Sequence, residues 1–373
     1  MIALLLIVIL VAIIAEVKSL RRSVDDVQYR MEPSVKSVEQ EDMFLLKTTI
    51  ENRSRFNIPY LFVEEAIPEE VELLDRTQME LTNEKGYNFH RSVLFMKKRQ
   101  RLRRNIRAVA HKRGVIRFTY AKVKIGDFLG IKELTKRVDF NHSVVVYPIC
   151  LQDKRLEQVL SDVMGEISIN SFLYEDPILI KGYRDYTGKE PLRAISFPMS
   201  ARRNQLTVRE FDHTRETMVD LIFDVSYKGD FDHYFLQEEA LFALTRSVCE
   251  EFEQRKTGYR LITNAYYATM DVHGVNVIQS GGTGGSSITK ILEVLGMASN
   301  ASLCDTEELL SYAFRSFSQE KSFVYICHRR EEENEKLIAQ LKRRYGVEIH
   351  CVYGEDFEEV YKETLRQREE QTV

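Results

Sequence analysis

Between Gly182 and Ser226 the chain reads GYRDYTGKEPLRAISFPMSARRNQLTVREFDHTRETMVDLIFDVS, ending on an apolar run, Met218 to Phe223, broken only by Asp220. A strand covered on both faces has no solvent side to alternate with, so it shows in sequence as such a run. Asp224-Val225-Ser226 then stand at its carboxyl end, where an open α/β sheet collects its function. Ahead of the run, Arg184, Arg193 and Arg202 are interleaved with Tyr186, Ile195 and Phe197, and Ser200 precedes the last arginine. Planar, permanently charged guanidinium groups suit bridging carboxylates between loops, while the apolar side chains fill the space beneath. The segment therefore predicts either a clasp fastening polar loops to the strand or a surface that receives a partner.

Downstream, strand-like and helix-like segments alternate. Tyr259–Asn264, Val275–Ile278, Phe323–Cys327 and Glu348–Tyr353 read as strands. Phe235–Phe252, Ser287–Met297, Thr306–Phe317, Asn334–Tyr345 and a closing segment from Asp356 carry apolar residues at helical spacing. This alternation predicts residues 218–373 to be an α/β domain with a mostly parallel sheet. Residues 151–217 hold a connecting helix, Leu151–Gly165, and the arginine-rich segment.

Residues 25–150 change pattern. Short runs at Phe44–Ile50, Tyr60–Glu65, Ser92–Met96, Val115–Val123 and Ser143–Tyr147 are separated by turn formers such as Asn52, Pro59, Pro68, Gly86 and Gly114. They predict a small β-sandwich. Within it KKRQRLRRNIR, Lys97 to Arg107, is strongly basic. It reads as a solvated hairpin edge whose cations discourage stray strand pairing, the other reading being a contact for anionic headgroups or an acidic partner.

At the start, Ile2–Ala15 is uninterrupted apolar sequence, and Lys18, Arg21, Arg22 and Arg30 all follow it. This predicts an N-terminal membrane helix over residues 1–24 and, by the positive-inside bias, a single-pass protein of the cell membrane with a cytoplasmic body. Five scattered cysteines among 373 residues fit a reducing compartment, lacking the close pairs of a zinc site or disulfide framework. A net charge of −4 supplies no bulk attraction to nucleic acid, and none is expected as a partner. The expected fold class is thus α+β multidomain: membrane helix, small β-sandwich, then the α/β domain.

Asp224-x-Ser226 with the distant Thr283 resembles the metal-ion-dependent adhesion site of von Willebrand factor A-like domains, whose carboxylate and hydroxyl oxygens suit Mg²⁺. The resemblance implies a von Willebrand factor A-like domain with Asp224, Ser226 and Thr283 as metal ligands. Lys228 stands at the loop's third position in place of Ser, and His328-Arg329 stand where a metal-binding Asp is expected. An ammonium there repels a cation and can itself pair with Asp224, so no cofactor is expected, with Mg²⁺ as the alternative. Gly281–Ser287 lacks the Gly-Lys-Ser/Thr ending of a P-loop and reads as a turn capping the next helix through Ser286 or Ser287.

The same stretch is similar to the signature of the domain of unknown function 58 family. The matching elements are Gly182-Tyr-Arg-Asp-Tyr186, Leu192-Arg-Ala-Ile195, Ser200-Ala-Arg-Arg203, Leu206-Thr-Val208 and Leu221-Ile-Phe-Asp224-Val-Ser226. Upstream, Lys112-Arg-Gly114 and Gly126-Asp-Phe-Leu-Gly130 resemble its Arg-Gly and Asp-Pro-Phe-Gly elements. Phe197 replaces the family's usual Trp, and Thr187-Gly-Lys-Glu190 replaces its Gly-Asp turn. The resemblance implies a membrane-anchored protein with a cytoplasmic von Willebrand factor A-like domain, a MoxR-type AAA+ ATPase as partner, and no established enzymatic activity.

The residues define no nucleophile and base. Ser200, Ser226 and Ser286 lack a Gly-x-Ser-x-Gly elbow, and His213 and His328 show no spacing tied to a serine or cysteine. The expected function is a membrane-anchored scaffold or binding protein, partner of a MoxR-type ATPase in a cell-envelope or complex-assembly system. The alternative is a metal-dependent hydrolase or nucleotide-binding protein using the degenerate metal site.

Overall fold

The computed structural model describes residues 7, 9–14, 26–75, 79–84, 86–126, 133–151, 153–173, 180–188, 190–211, 218–227, 234–267, 274–279, 286–315 and 322–372. Its contacts divide the chain into two units: Met1–Ile149 with Glu293–Met297 and Glu363–Val373, and Cys150–Leu292 with Ala298–Lys362.

The first unit contains β1 (Val27–Pro33), β2 (Ser37–Glu39), β3 (Met43–Asn52), β4 (Ile58–Pro68), β5 (Val71–Leu73), β6 (Met79–Glu84), β7 (Tyr87–Met96), β8 (Arg101–Ala110), β9 (Gly114–Gly126) and β10 (Glu133–Tyr147). Side-chain alternation drives the assembly: along β3, Phe44, Leu46, Thr48 and Ile50 point inward while Lys47 faces solvent. The strands form a four-stranded sheet, β1-β3-β8-β5, and a six-stranded sheet, β2-β10-β9-β4-β7-β6. Leu46, Ile50 and Ile106 of the first share one core with Leu61, Val63, Phe118 and Val146 of the second. Burial of each such side chain contributes about 1.5–3 kcal/mol, so the period-2 pattern itself holds the two sheets face to face. The basic segment falls on β8, which pairs with β3 from Arg101 to Val109 but with β5 only over Ala108–Ala110. Its basic half therefore forms a margin of the four-stranded sheet.

The second unit continues with α1 (Lys154–Leu173), β11 (Ile180–Asp185), a 3₁₀ turn (Leu192–Ala194), α2 (Phe197–Arg203), β12 (Thr207–Phe211), β13 (Met218–Phe223) and α3 (Tyr234–Gln254). Next along the chain come β14 (Gly258–Thr263), β15 (Ala265–Tyr267), β16 (Asn276–Gln279), α4 (Ser286–Met297), whose Glu293–Met297 end counts with the first unit, β17 (Ala298–Ser302) and α5 (Thr306–Arg315). The chain closes with β18 (Ser322–Cys327), α6 (Glu332–Tyr345), β19 (Ile349–Tyr353) and α7 (Glu358–Thr372). β13 pairs in parallel with β14 and β18, and β18 with β19, while β16 lies antiparallel on β14. The order is β16-β14-β13-β18-β19. Leu221, Ile222 and Phe223 on central β13 are fully buried, as an unbroken apolar run requires, and Phe223 meets Phe242 of α3 edge-on at 5.0 Å. β11/β12 and β15/β17 form separate two-stranded antiparallel sheets.

Three expectations are corrected. First, the chain is β-rich, with five sheets among the described residues of which two are mixed, and not the expected succession of membrane helix, small sandwich and von Willebrand factor A-like domain with a mostly parallel sheet. The extensive alternating sequence before residue 150 builds a four- and a six-stranded sheet, and antiparallel β16 makes the five-stranded sheet mixed. Second, among the described residues no helix is long and apolar enough to cross a membrane. Most of the anchor expected over 1–24 lies outside the described residues, and its unbroken apolar core, Ile2–Ala15, falls short of the ~20 residues a spanning helix needs. The described residues therefore do not support the expected single-pass placement with a cytoplasmic body. Third, the connecting helix runs on past Gly165 to Leu173. A mid-helix glycine costs only about 0.5–1 kcal/mol, which burial of Leu156, Leu160 and Val163 outweighs.

Candidate functional site

β13 delivers Asp224, 1% exposed, to the carboxyl end of the five-stranded sheet. Its backbone N–H donates to Ile326 O at 2.9 Å, so the carboxylate is fixed by the sheet itself. Oδ1 accepts from Ser226 N–H at 2.9 Å and Asn264 Nδ2 at 2.8 Å. Oδ2 accepts from Thr306 Oγ1 at 2.7 Å and Tyr325 OH at 2.8 Å. Asn264 ties the cluster together: Nδ2 also reaches Ser226 Oγ at 2.9 Å and Cys304 O at 3.1 Å, and Oδ1 accepts from Val225 N–H at 3.0 Å.

Every one of these donors is neutral. Burial, reinforced by the Asp224 charge, pushes the Tyr325 hydroxyl well above its ordinary pKa, which keeps it a donor. His328 packs edge to face on Tyr227 at 5.3 Å. Burial pulls its pKa down to about 4 against the opposing pull of Asp224, so the ring is neutral at pH 7. Burial raises the Cys327 thiol, and lifts Cys304 to about 11. Neither is a thiolate nucleophile at neutral pH.

This geometry does not fit Mg²⁺. Each Asp224 oxygen already accepts two internal hydrogen bonds, and a cation would have to strip them from a buried group. Among the described residues no group of three or more His, Cys, Asp or Glu side chains could hold a metal. Asp224 and Ser226 do come together, whereas Thr283 and Lys228 lie outside the described residues. Asp220, on the same face of the strand, is paired in bidentate fashion with Arg260 and is not coupled to Asp224 for acid–base work.

Sequence reasoning had not singled out Asn264, Thr306 or Tyr325. Two carried a signal. Asn264 directly follows β14 at the same sheet end, and Thr306 follows Asp305, whose Oδ1 caps Glu308 N–H at 2.9 Å in the pattern that opens a helix. Tyr325 sits within an apolar strand and carried none.

The arginine-rich segment folds as β11 and β12 in antiparallel register, with the 3₁₀ turn and α2 between them. Ser200 knits it internally: Oγ donates to Ser196 O at 2.8 Å and accepts from Thr207 N–H at 2.8 Å. Arg184 pairs with Glu190 at 2.5 Å, and Thr187 donates to the same carboxylate through N–H at 3.1 Å and Oγ1 at 2.8 Å. Arg184 first, then Thr187, hold the Glu190 pKa down to about 2. Tyr186 N–H donates to Leu206 O at 2.9 Å. Arg184 and Ser200 thus close local turns.

The expectation that Phe197 fills space beneath the arginines is corrected. Ile195 is buried, bridged to Val208, but Phe197 is 70% exposed, Leu192 74% and Leu206 50%. Pro198 stands at the start of α2 and fixes its entry, which leaves Phe197 at an outward position. Arg193 and Arg202 are exposed in the same elements and form no ion pair with another described residue.

No family model matches the chain. It is 24% identical over 186 residues to the uncharacterized protein YeaD of Bacillus subtilis (strain 168), the match covering 49% of this chain and 44% of YeaD. The chain thus spans less than half the length of that relative. Among solved structures, the CARDB domain of a Pyrococcus furiosus protein in complex with di-metal ions aligns at 12% identity and a TM-score of 0.22, covering 32% of this chain and 88% of that one. A PapD-like domain of a human protein aligns at 13% identity and a TM-score of 0.20, covering 32% of this chain and 83% of that one.

Proposed function

We propose that the chain is a scaffold or binding protein whose partner docks on the outward side of Leu192–Leu206, and that this partner is a MoxR-type AAA+ ATPase in a cell-envelope or complex-assembly system. The observation that carries the reading is the joint exposure of Leu192, Phe197 and Leu206 on hydrogen-bonded elements. Apolar surface held in water gains about 25 cal/mol per Å² when a partner covers it. Aromatic and arginine side chains are the commonest anchors of such contacts. Arg193 and Arg202, exposed beside these apolar groups, suit an acidic rim on the partner. The ATPase itself rests on the similarity of Gly182–Ser226 to the domain of unknown function 58 signature.

The hydrolase alternative needs a cation at Asp224, whose oxygens are engaged as described, and no observation favours it. Biolayer interferometry with the purified ATPase tests the docking reading. Phe197→Ala is expected to weaken binding about tenfold or more without moving the unfolding transition. Unaltered affinity would sink the proposal.

A further inference from the structure

The outward face of the four-stranded sheet carries a cation-lined hollow of about 570 Å³, within the range of roughly 300–1,000 Å³ typical of small-molecule sites. Arg30 of β1 lies opposite Thr49 of β3, and Thr49 opposite Arg103 of β8. Two arginines therefore flank one threonine across three adjacent strands, their Cα atoms roughly 10 Å apart at the usual strand spacing. All three side chains line the hollow. On one flank Glu51 is taken up by Arg101 at 3.1 Å and Arg53 at 3.5 Å. Arg30 and Arg103 form no ion pair with another described residue. Edge protection accounts for cations on the margins β1 and β8, but not for Lys47 on the strand between them, nor for a hollow.

Guanidinium forks match phosphoryl oxygens bidentately, and charge-assisted hydrogen bonds of this kind are the strong ones. We propose that this hollow binds a soluble phosphate ester carrying two linked phosphoryl groups, one held by Arg30 and the other by Arg103, with the Thr49 hydroxyl donating between them. Lys47 adds to the positive field that draws the anion in, against Glu32 opposite it on β1.

Isothermal titration calorimetry of the full chain with inorganic pyrophosphate tests the site. Saturable binding is expected, falling as salt is added and weakened about tenfold or more by Arg30→Gln/Arg103→Gln. Arg137→Gln, which removes an exposed arginine paired with Asp139 in the same unit, is expected to leave binding unchanged. If the double variant loses its unfolding transition, Thr49→Val supplies the comparison, with weaker binding expected. Three results overturn the proposal: no pyrophosphate binding by the parent chain, equal weakening by Arg137→Gln, or capture by phosphatidylcholine–phosphatidylglycerol vesicles without any binding of pyrophosphate.

Discussion

Glu65 in the first unit and Asp224 in the second are both buried carboxylates, yet they are satisfied by different kinds of group. Glu65 accepts from the Arg104 guanidinium at 2.9 Å and from Tyr29 OH at 2.7 Å, with His90 Nδ1 at 2.6 Å. Burial alone raises the Glu65 pKa, but the His90 hydrogen bond and the Arg104 charge outweigh it and bring the carboxyl below its ordinary value. Asp224, among the described residues, meets only hydroxyl, amide and backbone N–H donors. One carboxylate is matched charge for charge inside a sandwich; the other stands at the carboxyl end of a sheet, where ligands usually bind, held among the described residues by dipoles alone. The lesson is that location does not make a metal site: a count of occupied lone pairs decides, and at Asp224 that count is full.

The largest effect that could break this contrast comes from Glu65→Ala. It leaves the buried Tyr29 hydroxyl and His90 ring, and the partly exposed Arg104 guanidinium, without their shared acceptor, and urea unfolding of the first unit is expected to show a loss of about 3–5 kcal/mol. A cost near zero would mean that Arg104 escapes to solvent and that the charge match is incidental.

Next in size is the pH dependence around Asp224. His328 has a folded pKa of about 4 against an ordinary 6.5, so the unfolded chain binds more protons between those values. Stability is therefore complete above pH 6.5 and declines as the pH falls toward 4, by up to about 3 kcal/mol. His328→Leu should flatten that slope in denaturant titrations of the second unit; a slope unchanged by the substitution would assign it elsewhere. His111 of the first unit acts with the opposite sign. Its hydrogen bond to Glu41, aided by Glu72, raises its pKa, so its contribution is present below 6.5 and is lost as the pH rises through the raised value.

Asp224→Asn keeps the shape and removes the charge. The Thr306 and Tyr325 hydroxyls can rotate to accept from the new amide, so the expected cost is about 1–3 kcal/mol, below that of Glu65→Ala. Added Mg²⁺ should leave the melting temperature of the parent chain unmoved. A rise abolished by Asp224→Asn would restore the metal reading. The smallest effect belongs to the docking surface: Phe197→Ser should change stability by no more than about 0.5 kcal/mol, because the ring is already in water.

How much of this was legible depended on whether a residue's role is local. The Met218–Phe223 run is legible because a doubly covered strand leaves a continuous apolar signature, and the structure gives it the same bounds. The Asp224–Ser226 juncture follows from it. Asn264 follows β14, Thr306 opens α5 and Tyr325 lies within β18, and only tertiary packing brings their donors to one carboxylate. The outward turn of Phe197 was hidden for a related reason: its interleaving with arginines resembles a packed clasp, whereas the packing is done by Ile195 and Val208. The apolar start of the chain, Ile2–Ala15, is legible as hydropathy, but it is shorter than the ~20 residues of a spanning helix, and most of it lies outside the described residues.

The claim most exposed to test is that Leu192–Leu206 is a docking surface. A photo-crosslinking amino acid placed at position 197 of the full chain, mixed with the purified MoxR-type ATPase, is expected to yield a crosslinked pair. The same probe at Tyr312, an exposed aromatic of the second unit, is expected to yield none. Crosslinking from position 312 but not from 197, or from neither, would contradict the account.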